Sequence, residues 1–378
     1  MAPAFTLPDD RIIEYNMNNK SSAAVKDPRK SSPSSAPSDN VTTSEDWVDI
    51  WLDAFGDSGC GIWKATPETV GVCIPYRIEA LPVGRFRVRA ARGTSNDHTP
   101  RYDILGGGRI DYPLLRGMMS SLGVHCLVFP YLEQSSRLLR AVDTASPGRA
   151  YHLDFCENSP YVDCTGNWED YWSQRGKTRS TWARRERRML RDEGASLRVL
   201  STRNEVEQVW ERLLEIEASG WKGEMGSAIV QSEDTSTFYG RLVPMLADAG
   251  KLRLFVLDRP ETGIIAFQIT ACSNGVLYQM KVGYDDRYRK SSPGQVLQLQ
   301  LLRWCFARDE IQAFDFLGGG GKAASNKYRW STDVTPLHTL YVFAPGIWGR
   351  LAWLRYKVAP ALKTRLYAHS RPGDTQNR

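Results

Sequence analysis

The sequence predicts a mixed α/β (α+β) fold in two modules, with mixed, mostly antiparallel sheets flanked by helices, and three observations carry that reading. The 378 residues are 42% apolar and 24% charged, a globular composition with length for about two to three domains at roughly 150 residues each. Between residues 46 and 165, short runs such as GVCIPYRI, GRFRVRAA, YDILGG and CLVFPYL alternate with Gly, Pro and Asn, as strands alternate with turns. From Asn167 onward helical patterns enter, and near residue 290 a strand leaves through a helix and returns as a strand, which implies a parallel crossover.

Residues 1–45 are expected to be a disordered leader, because positions 16 to 45 are a Ser/Pro/Asn/Lys mixture almost without large apolar side chains. Order is expected from Trp47, where Ser44 caps a helix with Trp47, Ile50, Trp51 and Ala54 on one face. Residues 46–165 form the first module and 166–345 the second. In the second, NWEDYW and RSTWARRERRMLRDEG read as two helices ending at Gly194, followed by the strand SLRVL and the helix NEVEQVWERLLEIEASGW. The helix FYGRLVPMLADAG closes at Gly250, and three strand runs follow: KLRLFVLD, GIIAFQITAC and GVLYQMKVGY. The helix GQVLQLQLLRWCFAR, the buried strand IQAFDFLG and the final strand TPLHTLYVFA complete the module.

Residues 346–378 read as a basic amphipathic helix and tail. Ile347, Leu351, Leu354, Val358 and Leu362 make an apolar stripe, and no Asp or Glu occurs from Val334 to Gly373. Such a helix either docks on the fold or makes peripheral contact with an anionic membrane surface.

The net charge of +6, with a pI near 8.9, is too mild to argue for nucleic acid. Seven scattered cysteines without a CxxC pair suggest neither a disulfide framework nor a thiolate zinc site, and the five histidines lack HxxxH or HExxH spacing, so no metal is expected. The acidic start and the lack of ~18 consecutive apolar residues argue against export or a membrane span, so a cytoplasmic protein is expected. There is no GxSxG elbow, and GGGGKAAS has the wrong spacing for a phosphate-binding GxxxxGK[ST] loop.

The informative stretch is LYQMKVGYDDRYRKSSPGQVLQLQLLRWC. A strand ends near Tyr284, a loop carries Arg289, Lys290, Ser291 and Ser292, and Pro293 and Gly294 open a helix. Unpaired amides at a helix start lie at the positive end of its dipole and suit a phosphate or pyrophosphate. A helix start beside a solvated basic loop is the plain alternative. Asp315, inside the apolar run FDFL, is too costly to bury unpaired, so it has either a partner cation such as Lys322 or Lys327 or a role as a catalytic carboxylate. Asp285 directly follows the strand, and Tyr278 and Tyr328 are either packing aromatics or acid and substrate contacts. Arg184, Arg185, Arg187, Arg188 and Arg191 make either a solvated face or a polyanion contact.

Several pieces, in order, resemble the acyl-CoA N-acyltransferase (GNAT) superfamily, specifically the two-module branch of CelD-like and BioF2-like acetyltransferases related to FemAB. They are YDIL, NWEDYW, RSTWARRERRMLRDEG, SGWKGEMGSAI, LYQMKVGYDDRYRKSSPG and FDFLGGGGKAASNKYRW, spanning about residues 46 to 345. The resemblance implies tandem GNAT-like modules and a cytoplasmic acyltransferase. An acetyl-CoA or other acyl-CoA donor would lie between two central strands, with its pyrophosphate on Arg289, Lys290, Ser291, Ser292, Gly294 and Gln295. Backbone N–H groups near Met280 and Lys281 would polarise the thioester carbonyl. Asp315, Asp285 and Tyr328 become candidate catalytic groups, and Trp221, Lys222, Tyr278, Lys327 and Trp330 candidate contacts for a small-molecule amine acceptor. Trp221 and Lys222 equally suit a staple between helix and sheet. The glycines 318 to 321 depart from the acidic residues common in relatives. The rival readings are an aminoacyl-tRNA-dependent FemAB-like transferase, using the arginine-rich helix for tRNA, and a non-catalytic interaction protein.

Overall fold

Eleven strands, ordered β1-β2-β3-β4-β11-β5-β10-β9-β8-β7-β6, form one mixed, mostly antiparallel sheet in the computed structural model. The structure describes residues 41–65, 71–143, 150–219, 228–319 and 324–359. Most of the leader, the tail beyond residue 359, and Trp221, Lys222 and Lys322 therefore lie outside the described residues.

The first half of the sheet holds β1 (Cys60–Lys64), β2 (Cys73–Val83), β3 (Phe86–Gly93) and β4 (Cys126–Glu133). β3 and β4 are parallel, paired at Ala90↔Cys126 and linked through α2 (Tyr112–Leu122). The second half holds β6 (Ser196–Leu200), β7 (Leu252–Arg259), β8 (Gly263–Ser273), β9 (Val276–Tyr284) and β10 (Ala313–Asp315). β9 and β10 are parallel and linked through α9 (Pro293–Phe306), the crossover expected near residue 290. β5 (Tyr151–Asp163) and β11 (Asp333–Phe343) join the halves, because β11 pairs antiparallel with both β4 and β5 while β5 pairs with β10.

Helices cover both faces of the second half. One face packs against α1 (Glu45–Phe55), α7 (Trp210–Ala218) and α8 (Glu233–Asp248), with Trp47, Trp51, Leu213, Phe238 and Leu242 buried there. The other packs against α4 (Trp168–Ser173), α5 (Thr178–Arg187) and α9, around Trp182, Leu297, Leu301 and Trp330. Ser44 caps α1 as expected, its side chain accepting from Trp47 N–H. The fold nevertheless begins earlier than Trp47, since Val41–Thr43 is a 3-10 turn with Val41 buried.

Three local expectations are corrected. YDILGG is not a strand; its one ladder contact is an isolated bridge between Leu105 and Cys73. There Asp103 is spent on local bonds, accepting from Ile104 N–H and Arg137 N–H, and Gly106 (φ 80°) sits so close to Gly71 that a Cβ would lie 1.6 Å from its carbonyl oxygen. The first module also contains helices α2 and α3 (Arg137–Asp143), where turns were expected; α2 has an Asp111 cap, an early Pro and a left-handed Gly123 stop. The helix expected over NEVEQVWERLLEIEASGW is two, α6 (Arg203–Glu207) and α7, parted by a turn at residues 208–209.

Trp47 ties α1 to the rest through an edge-on contact with Phe238 at 5.8 Å and an indole N–H bond to Thr99 Oγ at 3.3 Å. Trp47→Ala is expected to lower unfolding free energy by about 3–5 kcal/mol and Trp47→Phe by clearly less, as read from denaturant melts.

Candidate functional site

The parallel pairing of β9 and β10 lasts only three residue pairs, ending at Tyr278↔Asp315. Asp315 ends it: its Oδ1 accepts from Leu317 N–H at 2.7 Å, and Leu317 adopts a left-handed φ of 54°, turning the chain away. On the other side, β9 carries a bulge, since Lys281 pairs with Ile269 and Gln279 with Thr270, leaving Met280 as the extra residue. The two strands therefore separate beyond Tyr278.

A cleft of about 520 Å³ occupies this split. Its walls include Met280, Lys281, Arg289, Ser292, Gly294, Gln295, Lys327 and Trp330, eight of the residues singled out in the sequence. Asp285, Asp315, Lys290, Ser291, Tyr278 and Tyr328 are not on its walls, although Phe316 and Leu317, next to Asp315, are.

The basic loop is shaped by its own residues. Asp285 caps the 3-10 turn Asp286–Ser291, Ser292 takes a left-handed conformation (φ 57°), and Pro293 opens the 14-residue α9. At Gly294 a Cβ would meet only Tyr284, at an ordinary 3.5 Å. The fold itself does not demand glycine there, and what glycine adds is bare backbone at the helix start, facing the cleft.

Arg287 and Arg212 hold the Asp285 carboxyl down to about 2, through hydrogen bonds from Arg287 first and then from Arg212 at 2.7 Å. A carboxylate that acidic is a weak proton acceptor at neutral pH, so Asp285 organises the loop. Lys281 directs its ammonium to Glu217 at 3.1 Å, both side chains being buried, and Glu217 also accepts from Ile229 N–H, which anchors β9 to α7. Trp330 stacks on Trp182 at 3.8 Å, fixing one cleft wall to α5.

Among the described residues, the cation paired with Asp315 is not Lys327 but Arg101, 1% exposed, whose guanidinium donates to Asp315 at 2.8 Å and to Glu133 at 2.8 Å. Burial opposes that charge, but the two carboxylates outweigh it and keep Arg101 protonated. Ser159 supplies a third hydrogen bond to Asp315 at 3.0 Å. Lys327 instead donates to the carbonyls of Phe316 (3.0 Å) and Gly318 (2.7 Å), and burial pulls its ammonium below the usual range. Burial raises the Tyr278 phenol well above its ordinary value, so it stays protonated, and Tyr328 is raised as well. Gly318 and Gly319 lie against Glu157, whose carboxylate a Cβ would approach to 2.9 and 3.0 Å, so here glycine permits close backbone approach.

Residues 176–328 match the family model of the acetyltransferase (GNAT) domain. Over that stretch the chain is similar to GNAT-type acetyltransferase domains. No curated relative matches the sequence. Among solved structures, a conserved protein of unknown function from Bacteroides thetaiotaomicron superposes with a TM-score of 0.55 at 8% identity, covering 79% of this chain and 89% of that one. FemX superposes at 0.52 and 9% identity, over 82% of this chain and 93% of its own. L-PGS from Bacillus licheniformis is 13% identical over 82% of this chain and 96% of its own, with a TM-score of 0.48. The first two show a shared fold.

The cleft also has walls that sequence reasoning missed. Asp97, contributed by the first half of the chain, is the acidic residue on them among the described residues. Its loop is rigid: Asn96 Oδ1 accepts from His98 N–H and Thr99 N–H, both at 3.0 Å, and His98 stacks on Phe55 at 5.7 Å. Gln268, Gln279 and Gln298 also line the cleft, each with a buried amide atom lacking a partner. The one local signal was the Asn-Asp pair of the turn SNDH.

Two outcomes test this electrostatic frame. Arg101→Met is expected to cost about 3–5 kcal/mol in chemical unfolding, because it strands buried carboxylates, and Arg101→Lys to recover only part, lacking the fork that bridges both. Asp285→Asn is expected to cost about 2 kcal/mol at neutral pH. For a carboxyl lowered to about 2, that contribution is complete above the ordinary value of 3.8 and disappears as pH falls through about 2, so wild-type and variant stabilities should converge in acid.

Proposed function

We propose that the protein is an acyl-CoA-dependent N-acyltransferase, with acetyl-CoA as the simplest donor and a primary amine of a small molecule, amino sugar or biosynthetic intermediate as acceptor. The observation that carries this reading is the continuity of the β9/β10 split with the start of α9: one cleft holds both the stretch of β9 beyond its last pairing with β10 and a glycine-bearing helix N-terminus flanked by Arg289.

The donor pyrophosphate sits at Ser292–Gln295, where amides and the helix dipole favour anions and Arg289 adds charge. The thioester carbonyl lies against β9 near the Met280 bulge, where backbone N–H groups stabilise the oxyanion as it forms. The amine attacks directly in a ternary complex: the N–C bond forms, the C–S bond breaks, and Asp97 accepts the amine proton. A thiolate of ordinary pKa near 8.5 then takes its proton from solvent.

Titration calorimetry tests the donor. The expected result is coenzyme A binding that Gly294→Glu or Ser292→Glu weakens by at least about tenfold, since each puts a negative charge where the phosphates sit. No affinity for free or acylated CoA would contradict the reading; salt-sensitive affinity for aminoacyl-tRNA alone would favour the FemAB-like alternative, through the exposed arginines of α5. Asp97→Asn is expected to lower kcat by about a hundredfold, with CoA affinity unchanged.

A further inference from the structure

The second basic feature of the chain lies on a surface with no part in donor chemistry. Phe86, at the β2–β3 turn, and Ile347 and Trp348, at the start of α11 (Ile347–Trp353), are 43%, 70% and 39% exposed. The rings of Phe86 and Trp348 meet edge-on at 5.9 Å, so two segments far apart in sequence build one apolar tip. α11 cannot turn this face inward. Gly349 packs so tightly that a Cβ would lie 2.0 Å from the Ala344 carbonyl oxygen, Ala352 is buried, and Tyr356 donates to Pro82 O at 3.2 Å. Leu354, seven residues after Ile347, is 46% exposed.

Cations surround the tip. The Arg85 guanidinium lies 5.0 Å over the Phe86 ring, and Arg87, Arg350 and Arg355 are exposed. Residues 80–93 and 334–359 contain no acid at all, and Glu79 nearby is already paired with Arg92.

We propose that this tip docks on an anionic lipid surface. An amphiphilic patch of aromatic and aliphatic side chains ringed by arginines matches the headgroup region of a bilayer, where apolar groups enter the acyl boundary and cations meet lipid phosphates. A second copy fits poorly, because a symmetric pair would bring the same arginines face to face. Nucleic acid fits poorly too, since it would leave Ile347 and Leu354 uncovered. The inference is independent of the donor assignment.

Co-sedimentation of the full-length protein with phosphatidylcholine vesicles, with and without phosphatidylglycerol, tests it. Binding is expected to the anionic vesicles and to be far weaker to neutral ones. Ile347→Asp should reduce partitioning about tenfold through loss of buried apolar area. Arg85→Glu with Arg350→Glu should reduce it roughly fivefold or more per residue, while Arg184→Glu with Arg187→Glu, of equal charge change on α5, should leave it nearly unaltered. Circular dichroism confirms folding of each variant. Absent binding, equal binding to both vesicle types, indifference to Ile347→Asp, or an Ile347-dependent dimer in lipid-free sedimentation would each overturn the proposal.

Discussion

The end of β10 at Asp315 is the constraint on which the candidate site depends. A strand pair that continued in parallel would saturate the edge of β9 and leave no room between the sheets' central strands. Asp315 instead bonds the amide of Leu317 and forces a left-handed residue there, while the Met280 bulge bends β9 away on the other side. The cleft results from two short-range irregularities in an otherwise regular sheet.

That arrangement needs a buried carboxylate, and a buried carboxylate needs a cation. Arg101 supplies it from the first half of the chain and simultaneously holds Glu133 at the end of β4. The shape of the cleft in one half is thus tied to a residue of the other, through the same region in which β5 and β11 join the sheet. Asp97, in the loop preceding Arg101, reaches the cleft wall by the same route. The first half of the chain helps to build the site.

What could be read from the sequence was what local pattern encodes. The three strands β7 to β9, the crossover helix and its glycine-bearing start follow from periodicity and capping chemistry, and all lie within the 176–328 match. The hidden parts are set by long-range partners. β5 contains Asp154, Glu157, Asn158 and Pro160, residue types depleted in strands, yet it lies between β11 and β10. YDILGG has the residues of a strand, but its aspartate is drawn into capping bonds. Arg101 is separated from Asp315 by more than two hundred residues, and no spacing rule links them.

Backbone hydrogen exchange with and without coenzyme A would probe the central claim residue by residue. Slowed exchange is expected at the β9 amides from Met280 to Gly283 and at the first turn of α9, with little change in β2 or β3. Protection confined to other strands, or none at a concentration where coenzyme A demonstrably binds, would contradict it.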